Sequence, residues 1–165
     1  MKASPELLAM LKHHEGVRTK PYRDVVGLWT VGVGHLMYPE QARLPMIDKE
    51  TGKNPRMEVQ LRPEDARVFT MDEVDAILAK DLANFERGVL RLCPVGLTQP
   101  RFDGLLSFSF NCGLGGLQRS TIRSAHNRGD FDAAADEFLK YTKAGGKEFP
   151  GLVKRRRDER ARYLA

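Results

Sequence analysis

Residues 11–35 read LKHHEGVRTKPYRDVVGLWTVGVGH, and this stretch decides the fold class. Its first letters continue an apolar stripe at helical spacing, and Gly16 is a typical residue for ending that helix. From Trp29 onward, apolar residues alternate with Thr and Gly, which is the period of a β-strand. Residues 24–27 have the composition of a turn before that strand. The stretch therefore predicts a short helix followed by a small antiparallel sheet of two or three strands.

Capping signals on both sides of this stretch predict further helices. Ser4 and Pro5 open the first helix, as N-cap and first helical residue. Thr70 and Glu73 form a capping box, and apolar residues at helical spacing then predict one long helix from about 71 to about 92. Three more helices are predicted to begin with caps at Thr98, Ser120 and Asp130. Those beginning at Thr98 and Asp130 are predicted to end in the glycine clusters at 113–116 and 144–146, and a last helix covers 151–164.

The predicted fold class is α+β. A small antiparallel sheet lobe covers about 13–68, and within it residues 37–67 read as an elaborated surface loop with short helical pieces. The long helix at about 71–92 joins this lobe to a mainly helical lobe of about 93–165, which also includes the N-terminal helix. At 165 residues the chain has the length of a single domain.

The composition is that of a soluble globular protein with a basic balance. Lys and Arg number 27 against 22 Asp and Glu, which gives a net charge of +5. Such a charge suits a polyanionic partner, namely nucleic acid, a membrane surface or an anionic cell wall, and does not choose among them. Cys93 and Cys112 are too few for a disulfide framework and lack metal-site spacing, so we expect two reduced thiols.

The first residues, MKASPELLAMLKHHEG, contain only a short and interrupted apolar run followed by charges. This is the pattern of neither a signal peptide nor a membrane anchor. We therefore expect synthesis in the cytoplasm and no transmembrane segment.

Glu15, Asp24 and Thr30 are the candidate catalytic residues. Spacing alone also fits an ordinary interpretation, in which Glu15 is a solvated charge at a helix end and Asp24 a turn former. Two details favour chemistry. A carboxylate at a helix C-terminus faces the negative end of the dipole, which disfavours its charged form. Gly32 and Gly34 leave a strand that a ligand can approach closely. Two carboxylates in different surroundings are what hydrolysis of a glycosidic bond requires.

Residues 14–35 resemble the catalytic segment of the phage lysozymes (endolysins) of the T-even type. That family has Glu, eight residues, Asp, five residues, Thr and then Gly-x-Gly-His, as this chain does. Further matching segments follow in the same order: LAKDL, RFDGLLSFSFNCGLGGL, STIRSAHNRGDFDAAADEF and AGGKEFPGLVKRR. The resemblance covers nearly the whole chain and implies a lysozyme-like fold.

The resemblance also implies a mechanism. Glu15 would be the general acid that protonates the glycosidic oxygen, and Asp24 would orient or activate the attacking water, with Thr30 holding that water. The bond cleaved would be the β-1,4 bond between N-acetylmuramic acid and N-acetylglucosamine. Because such family members are inverting hydrolases, the two carboxyl groups should lie roughly 6.5–9.5 Å apart.

Leu36, Phe110 and Ser120 match substrate-binding positions of the family. Two of them have a structural alternative, since Phe110 fits the apolar face of its own helix and Ser120 is a good N-cap. Three positions depart from the family pattern. Glu137 stands where a substrate-contacting amide is expected and is therefore not expected to belong to the site. Tyr141 replaces the more usual Trp and Pro100 is unusual at the start of its helix, and neither of these two changes touches the catalytic trio.

The C-terminal run KRRRDER is predicted to be a solvated face. The resemblance adds the alternative that Arg155 or Arg156 turns inward to pair with Glu15. His13 and His14 lack the second histidine one turn further on that a zinc-binding helix requires. We therefore predict neither a metal nor a cofactor.

The resemblance implies peptidoglycan as the substrate and cell lysis as the outcome. It also implies a monomer made in the host cytoplasm and released to the periplasm and cell wall through a separately encoded holin. A basic nucleic-acid-binding module would explain the charge but not the Glu-Asp-Thr pattern, so no nucleic-acid partner is expected. A third possibility is a lytic transglycosylase. Asp24 and Thr30 argue against it, because that chemistry needs no pair of residues to hold a water.

Overall fold

The computed structural model describes all residues from 1 to 165. The helices are α1 (Pro5–Glu15), α2 (Met71–Leu92), α3 (Gln99–Arg119), α4 (Thr121–Asn127), α5 (Phe131–Phe138) and α6 (Pro150–Leu164). The strands are β1 (Arg18–Arg23), β2 (Trp29–Gly32), β3 (His35–Leu36), β4 (Lys143–Ala144) and β5 (Lys147–Glu148). Short 3₁₀ helices cover Pro39–Arg43, Pro55–Glu58 and Pro63–Asp65. The α+β class predicted from the sequence is confirmed. No helix combines the length and the apolar character needed to cross a lipid bilayer.

The chain divides into two compact units. The helical unit comprises residues 1–14 and 81–165, and the sheet unit comprises residues 15–80. Helix α2 is continuous through the division at residue 80, so it contributes to both. The description of the whole chain as one domain stays a prediction.

The helical unit has a core of leucine and phenylalanine side chains, around which α3 and α6 pack. A Cβ atom on Gly104 would lie 2.9 Å from Tyr163 Cβ and 3.0 Å from the backbone oxygen of Glu159. The two helices therefore approach closely at a position that has no room for a side chain. This contact fixes α6 against the most buried part of α3.

The N-terminal residues are held by polar contacts within the helical unit. The Ser4 hydroxyl accepts a hydrogen bond from the backbone N–H of Leu7 at 3.1 Å, which confirms Ser4 as the N-cap of α1. It also donates to the buried Asp103 carboxylate at 2.6 Å, and Arg162 donates to the same carboxylate oxygen at 2.5 Å. These bonds supply the partners that a buried charge needs. They also join the start of α1 to α3 and α6.

The sheet unit contains a three-stranded antiparallel sheet in the order β1-β2-β3, as predicted. Thr30 occupies the central strand, opposite Tyr22 of β1 and Leu36 of β3. Residues 37–67 form the predicted surface loop, and its three short 3₁₀ helices each begin with a proline. This loop packs against the turn between β1 and β2, as described below.

Helix α2 begins with the predicted capping box. The Thr70 hydroxyl accepts from the backbone N–H of Glu73 at 3.2 Å, and the Glu73 carboxylate accepts from the backbone N–H of Thr70 at 2.7 Å. Both donors would otherwise lack a partner at the start of a helix. The observed bounds, Met71–Leu92, agree with the predicted ones.

One predicted helix end was confirmed and another was wrong. Gly113, with φ 77° and ψ 158°, ends the first helical segment of α3, and a second segment, in which Leu117 is buried, runs on to Arg119. Helix α5 ends at Phe138, well before the glycines predicted to stop it. Gly145 and Gly146, with φ of 56° and 79°, instead form the tight turn between β4 and β5. Paired positive φ angles are what such a hairpin turn requires.

The close approach of α3 and α6 predicts opposite effects of two glycine substitutions. Gly104→Ala should lower the free energy of unfolding by about 1–3 kcal/mol, because the added methyl group overpacks the helix contact. Gly151→Ala serves as the control, since its Cβ would meet nothing within 4 Å and alanine is the better helix former. Urea denaturation measures both values. Equal stability of the two variants would contradict the close packing.

The capping box predicts a pH dependence of stability. The hydrogen bonds from Arg67 and then from the Thr70 N–H lower the pKa of Glu73 from 4.5 to about 2. A carboxyl with a lowered pKa in the folded state stabilises that state at high pH and loses this effect as pH falls. Glu73→Gln should therefore be less stable than the unaltered chain at pH 6, and the difference should shrink between about pH 4.5 and pH 2. Denaturant titrations across this range test it, and a difference independent of pH would contradict it.

Candidate active site

Glu15 is the last residue of α1 and the first residue of the sheet unit. Gly16 follows with φ 75°, which is the left-handed conformation that commonly ends a helix. The Glu15 side chain is exposed. The carboxyl group is therefore accessible from solvent at the point where the chain passes from α1 into the sheet unit.

Asp24 occupies a hydrogen-bonded turn between β1 and β2. Its carboxylate oxygen Oδ1 accepts hydrogen bonds from the backbone N–H groups of Val26 at 2.9 Å and Leu28 at 2.8 Å. The backbone N–H of Asp24 donates to the Leu28 oxygen at 2.9 Å, and that of Gly27 donates to the Asp24 oxygen at 3.0 Å. Both bonds to the carboxylate reach the same oxygen. The turn therefore orients the carboxylate through Oδ1, and Oδ2 takes part in neither of these two hydrogen bonds.

Thr30 follows this turn, and its hydroxyl has the same hydrogen-bonding partner as the Asp24 carboxylate, namely Leu28. The Thr30 side chain is buried, and its hydroxyl donates to the Leu28 backbone oxygen at 3.2 Å. Because Leu28 donates to Asp24 through its N–H, one residue orients both side chains. Leu36 is the β3 partner of Thr30. The structure thus brings together three of the predicted site residues, Asp24, Thr30 and Leu36.

Phe110 and Ser120 belong to the helical unit. The Phe110 ring is half-buried and packs edge-to-face against Phe85, with 5.5 Å between the ring centroids. The Ser120 hydroxyl accepts from the Arg123 N–H at 3.1 Å and donates to the Leu117 oxygen at 2.8 Å. Its single proton is therefore already used on the Leu117 oxygen of α3, while its oxygen caps α4. A substrate contact at either residue stays a prediction.

The basic run of α6 is not a solvated face along its whole length, contrary to the sequence-based expectation. Arg155 and Arg156 are both buried, and each donates to the fully buried carboxylate of Glu159, at 3.1 and 2.6 Å. Ser107 also donates to Glu159 at 2.7 Å, and Arg156 donates to the side-chain oxygen of Asn111. Burial raises the pKa of Glu159, although the two guanidinium groups act in the opposite direction. A pairing of either arginine with Glu15 stays a prediction.

Two of the departures from the family pattern, Glu137 and Tyr141, form a cluster with Thr121. Glu137 accepts hydrogen bonds from the Thr121 hydroxyl and from Lys140, and these lower its pKa, with Lys140 the larger cause. The Tyr141 hydroxyl accepts from the backbone N–H of Thr121 at 3.1 Å. Glu137 and Tyr141 therefore hold the start of α4 together.

The histidines before Glu15 contact α6. Nε2 of His14 lies 3.0 Å from an Asp158 carboxylate oxygen, and Nε2 of His13 lies 2.6 Å from the Lys154 amine. Burial lowers the pKa of His14 more than Asp158 raises it. No three His, Cys, Asp or Glu side chains lie together as metal ligands would.

The sequence reasoning missed the buried group around Glu159. One signal was available: Arg155 and Glu159 stand four residues apart, the spacing at which side chains on a helix meet. Burial of that pair has no signature in the sequence, because an exposed pair has the same spacing.

A small antiparallel sheet, a mainly helical unit and a pair of carboxylates of the kind that glycosidases use point to the lysozyme-like class of glycoside hydrolases. Comparison with known proteins makes the assignment specific. The sequence profile of the family Phage lysozyme matches residues 12–159. The chain belongs to the phage lysozyme family.

Individual relatives agree with this assignment. The endolysin of Bacillus phage B103 is 36% identical over 169 residues, which cover 99% of this chain and 54% of the relative. The chain thus spans about half the length of that protein. The endolysin of Salmonella phage P22 is 34% identical over 100% of this chain and 99% of its own. A crystal structure of a P22 lysozyme mutant superposes with a TM-score of 0.78 at 32% identity, covering 100% of this chain and 99% of that one.

The comparisons confirm the family predicted from the sequence, and the lysozyme-like fold with it. The narrower assignment to the T-even type was slightly off, since the relatives described above come from phages B103 and P22.

The buried group around Glu159 predicts a large loss of stability when its charge is removed. Glu159→Gln should lower the free energy of unfolding by about 3–5 kcal/mol, because two buried guanidinium groups lose their counter-charge. Glu6→Gln is the matched control and should change little, since Glu6 is exposed and 3.8 Å from Arg162. Thermal and denaturant unfolding measure both. A Glu159→Gln variant as stable as Glu6→Gln would contradict the assigned ion pairs.

Proposed function

We propose that this chain is a phage endolysin, a muramidase that hydrolyses the β-1,4 bond between N-acetylmuramic acid and N-acetylglucosamine with inversion. The family match over residues 12–159 carries the proposal. The geometry supports it, because Glu15 ends a helix and Asp24 sits in a turn that fixes one oxygen of its carboxylate.

Glu15 acts as the general acid. Glu15 ends α1 and its side chain is exposed, so its protonated carboxyl group can deliver a proton to the glycosidic oxygen of a bound substrate. Proton transfer to the leaving oxygen lowers the barrier to bond cleavage, and such an acid is typically worth about 10²–10⁴ in rate.

Asp24 and Thr30 hold the attacking water. The Thr30 hydroxyl uses its proton on the Leu28 oxygen, so its own oxygen is left as an acceptor. A water that donates one proton to Thr30 and the other to Asp24 Oδ2 keeps a lone pair for the sugar carbon. Asp24 then takes a proton as the water attacks. Attack from the face opposite the acid requires a separation between Glu15 and Asp24 of roughly 6.5–9.5 Å.

The substrate is peptidoglycan, and Leu36, Phe110 and Ser120 are proposed contacts. Leu36 has the best support, since it pairs with Thr30 across the sheet. The net charge of +5 attracts the enzyme to anionic wall polymers. We further propose that the enzyme works as a monomer, is made in the host cytoplasm and reaches the wall by holin-dependent release.

The proposal predicts loss of turnover without loss of fold. Glu15→Gln and Asp24→Asn should each lower the rate of clearing of permeabilised Gram-negative cells by at least about 10²-fold, because each removes a proton-transfer group. Glu50→Gln, an exposed carboxylate in the 48–53 loop, is the control and should retain full activity. Circular dichroism verifies that every variant is folded.

The products test the chemistry separately. Hydrolysis with inversion gives the α-anomer at the new reducing end, which NMR detects before mutarotation. An initial β-anomer would refute inversion, and an anhydro-muramic end in the mass spectrum would identify a lytic transglycosylase instead. Near-normal clearing by Glu15→Gln would remove Glu15 from the mechanism.

A further inference from the structure

We propose that Arg23 is a positioning residue for the Asp24 carboxylate and acts through the peptide unit between Gly27 and Leu28. This inference rests on the proposed role of Asp24. It assigns a function in the reaction to an arginine that precedes Asp24 in the chain and that reaches the Asp24 carboxylate only through a backbone carbonyl of the turn.

Arg23 ends strand β1, and its guanidinium group donates to four backbone oxygens. The acceptors are Gly27 at 3.0 Å, Arg56 at 2.8 Å, Met57 at 2.9 Å and Val59 at 2.7 Å. The same group lies over the Trp29 ring, 4.3 Å from its centroid. One side chain therefore joins the turn that carries Asp24 to the loop segment 56–59.

The bond to Gly27 is the one that reaches Asp24. The Gly27 carbonyl and the Leu28 N–H belong to one planar trans peptide unit and point in opposite directions. The Leu28 N–H donates to Asp24 Oδ1 at 2.8 Å. A donor that fixes the Gly27 oxygen therefore fixes the direction of the N–H that holds the carboxylate.

A second donor acts on the same oxygen. The side-chain amide of Gln41, which is buried, donates to the Gly27 oxygen at 2.9 Å. The amide oxygen of Gln41 accepts from the Trp29 backbone N–H at 3.0 Å, so the amide is itself held in place. Two side chains from outside the turn thus converge on a single carbonyl.

The turn needs this external support because of Gly27. Its φ is 86°, and a residue without Cβ passes easily between backbone conformations. Rotation of the 27–28 peptide would withdraw the Leu28 N–H from Asp24. The charged donor also polarises the peptide and so strengthens the hydrogen bond on its other side.

Arg101 provides a matched control for a purely structural role. Its guanidinium donates to the Gly96 oxygen at 2.7 Å and lies 3.5 Å from the centroid of the Phe131 ring. It combines carbonyl donation with an aromatic contact, as Arg23 does, but belongs to the helical unit and contacts no residue of the proposed mechanism.

The decisive comparison is between Arg23→Lys and Arg101→Lys, both assayed well below their unfolding temperatures. Lysine keeps the charge but cannot span several carbonyls with a planar fork. Arg23→Lys should lower kcat by about tenfold with KM within about twofold, since misplacing a catalytic group affects turnover more than binding. Arg101→Lys should lose stability without changing kcat. Equal kcat in the two variants, or a change in KM alone, would overturn the proposal.

Two further measurements keep the inference testable if Arg23→Lys does not fold. Gln41→Met removes the other donor on the same oxygen and should also lower kcat; an unchanged kcat would count against the proposal. Hydrogen exchange at the Leu28 amide should be faster in either variant than in Arg101→Lys. If the unaltered enzyme shows no muramidase activity, the proposed function fails, whereas the Leu28 exchange rates still test whether Arg23 holds the turn.

Discussion

The interaction on which the site depends is the pair of hydrogen bonds that the Asp24 carboxylate accepts from the backbone of its own turn. By accepting two N–H groups of the turn that follows it, the carboxylate closes the hairpin between β1 and β2. The same turn presents Leu28, whose oxygen receives the Thr30 hydroxyl. The geometry of the site thus depends on hydrogen bonds made within the seven residues 24–30, and strands β1 and β2 flank that turn.

The rest of the sheet unit reinforces that arrangement from outside. Loop residues bring their backbone oxygens to Arg23, and Gln41 brings its amide to the same turn. In the helical unit, buried charges have a comparable role. Asp103 joins the chain start to α3 and α6, and Glu159 gathers two arginines of α6 against Ser107. Each buried carboxylate has several donors, as its burial requires.

The sequence predicted features that depend on local chemistry. The Ser4 cap, the capping box at Thr70 and Glu73, and the alternation from Trp29 onward determine nearby backbone, and all three were found where expected. Features that depend on distant partners were missed. The end of α5 at Phe138 is one of them, because the glycines predicted to stop this helix lie instead in the turn that pairs β4 with β5. Arg155 and Arg23 look like ordinary surface arginines, and only the folded chain supplies the carboxylate or the carbonyls that bind them. For the site, spacing indicated candidates, and the family resemblance supplied their roles.

Val25 lies in the hydrogen-bonded turn, but its side chain takes no part in holding that turn. The hydrogen bond from the Val26 N–H to Asp24 Oδ1 spans its backbone, yet its side chain is fully exposed, at 103%. Nothing in the hydrogen-bonding of the turn depends on what that side chain is. Position 25 is therefore a natural attachment point for a fluorophore or spin label, one residue from the Asp24 carboxylate, where a reporter would sense the binding of the proposed substrate.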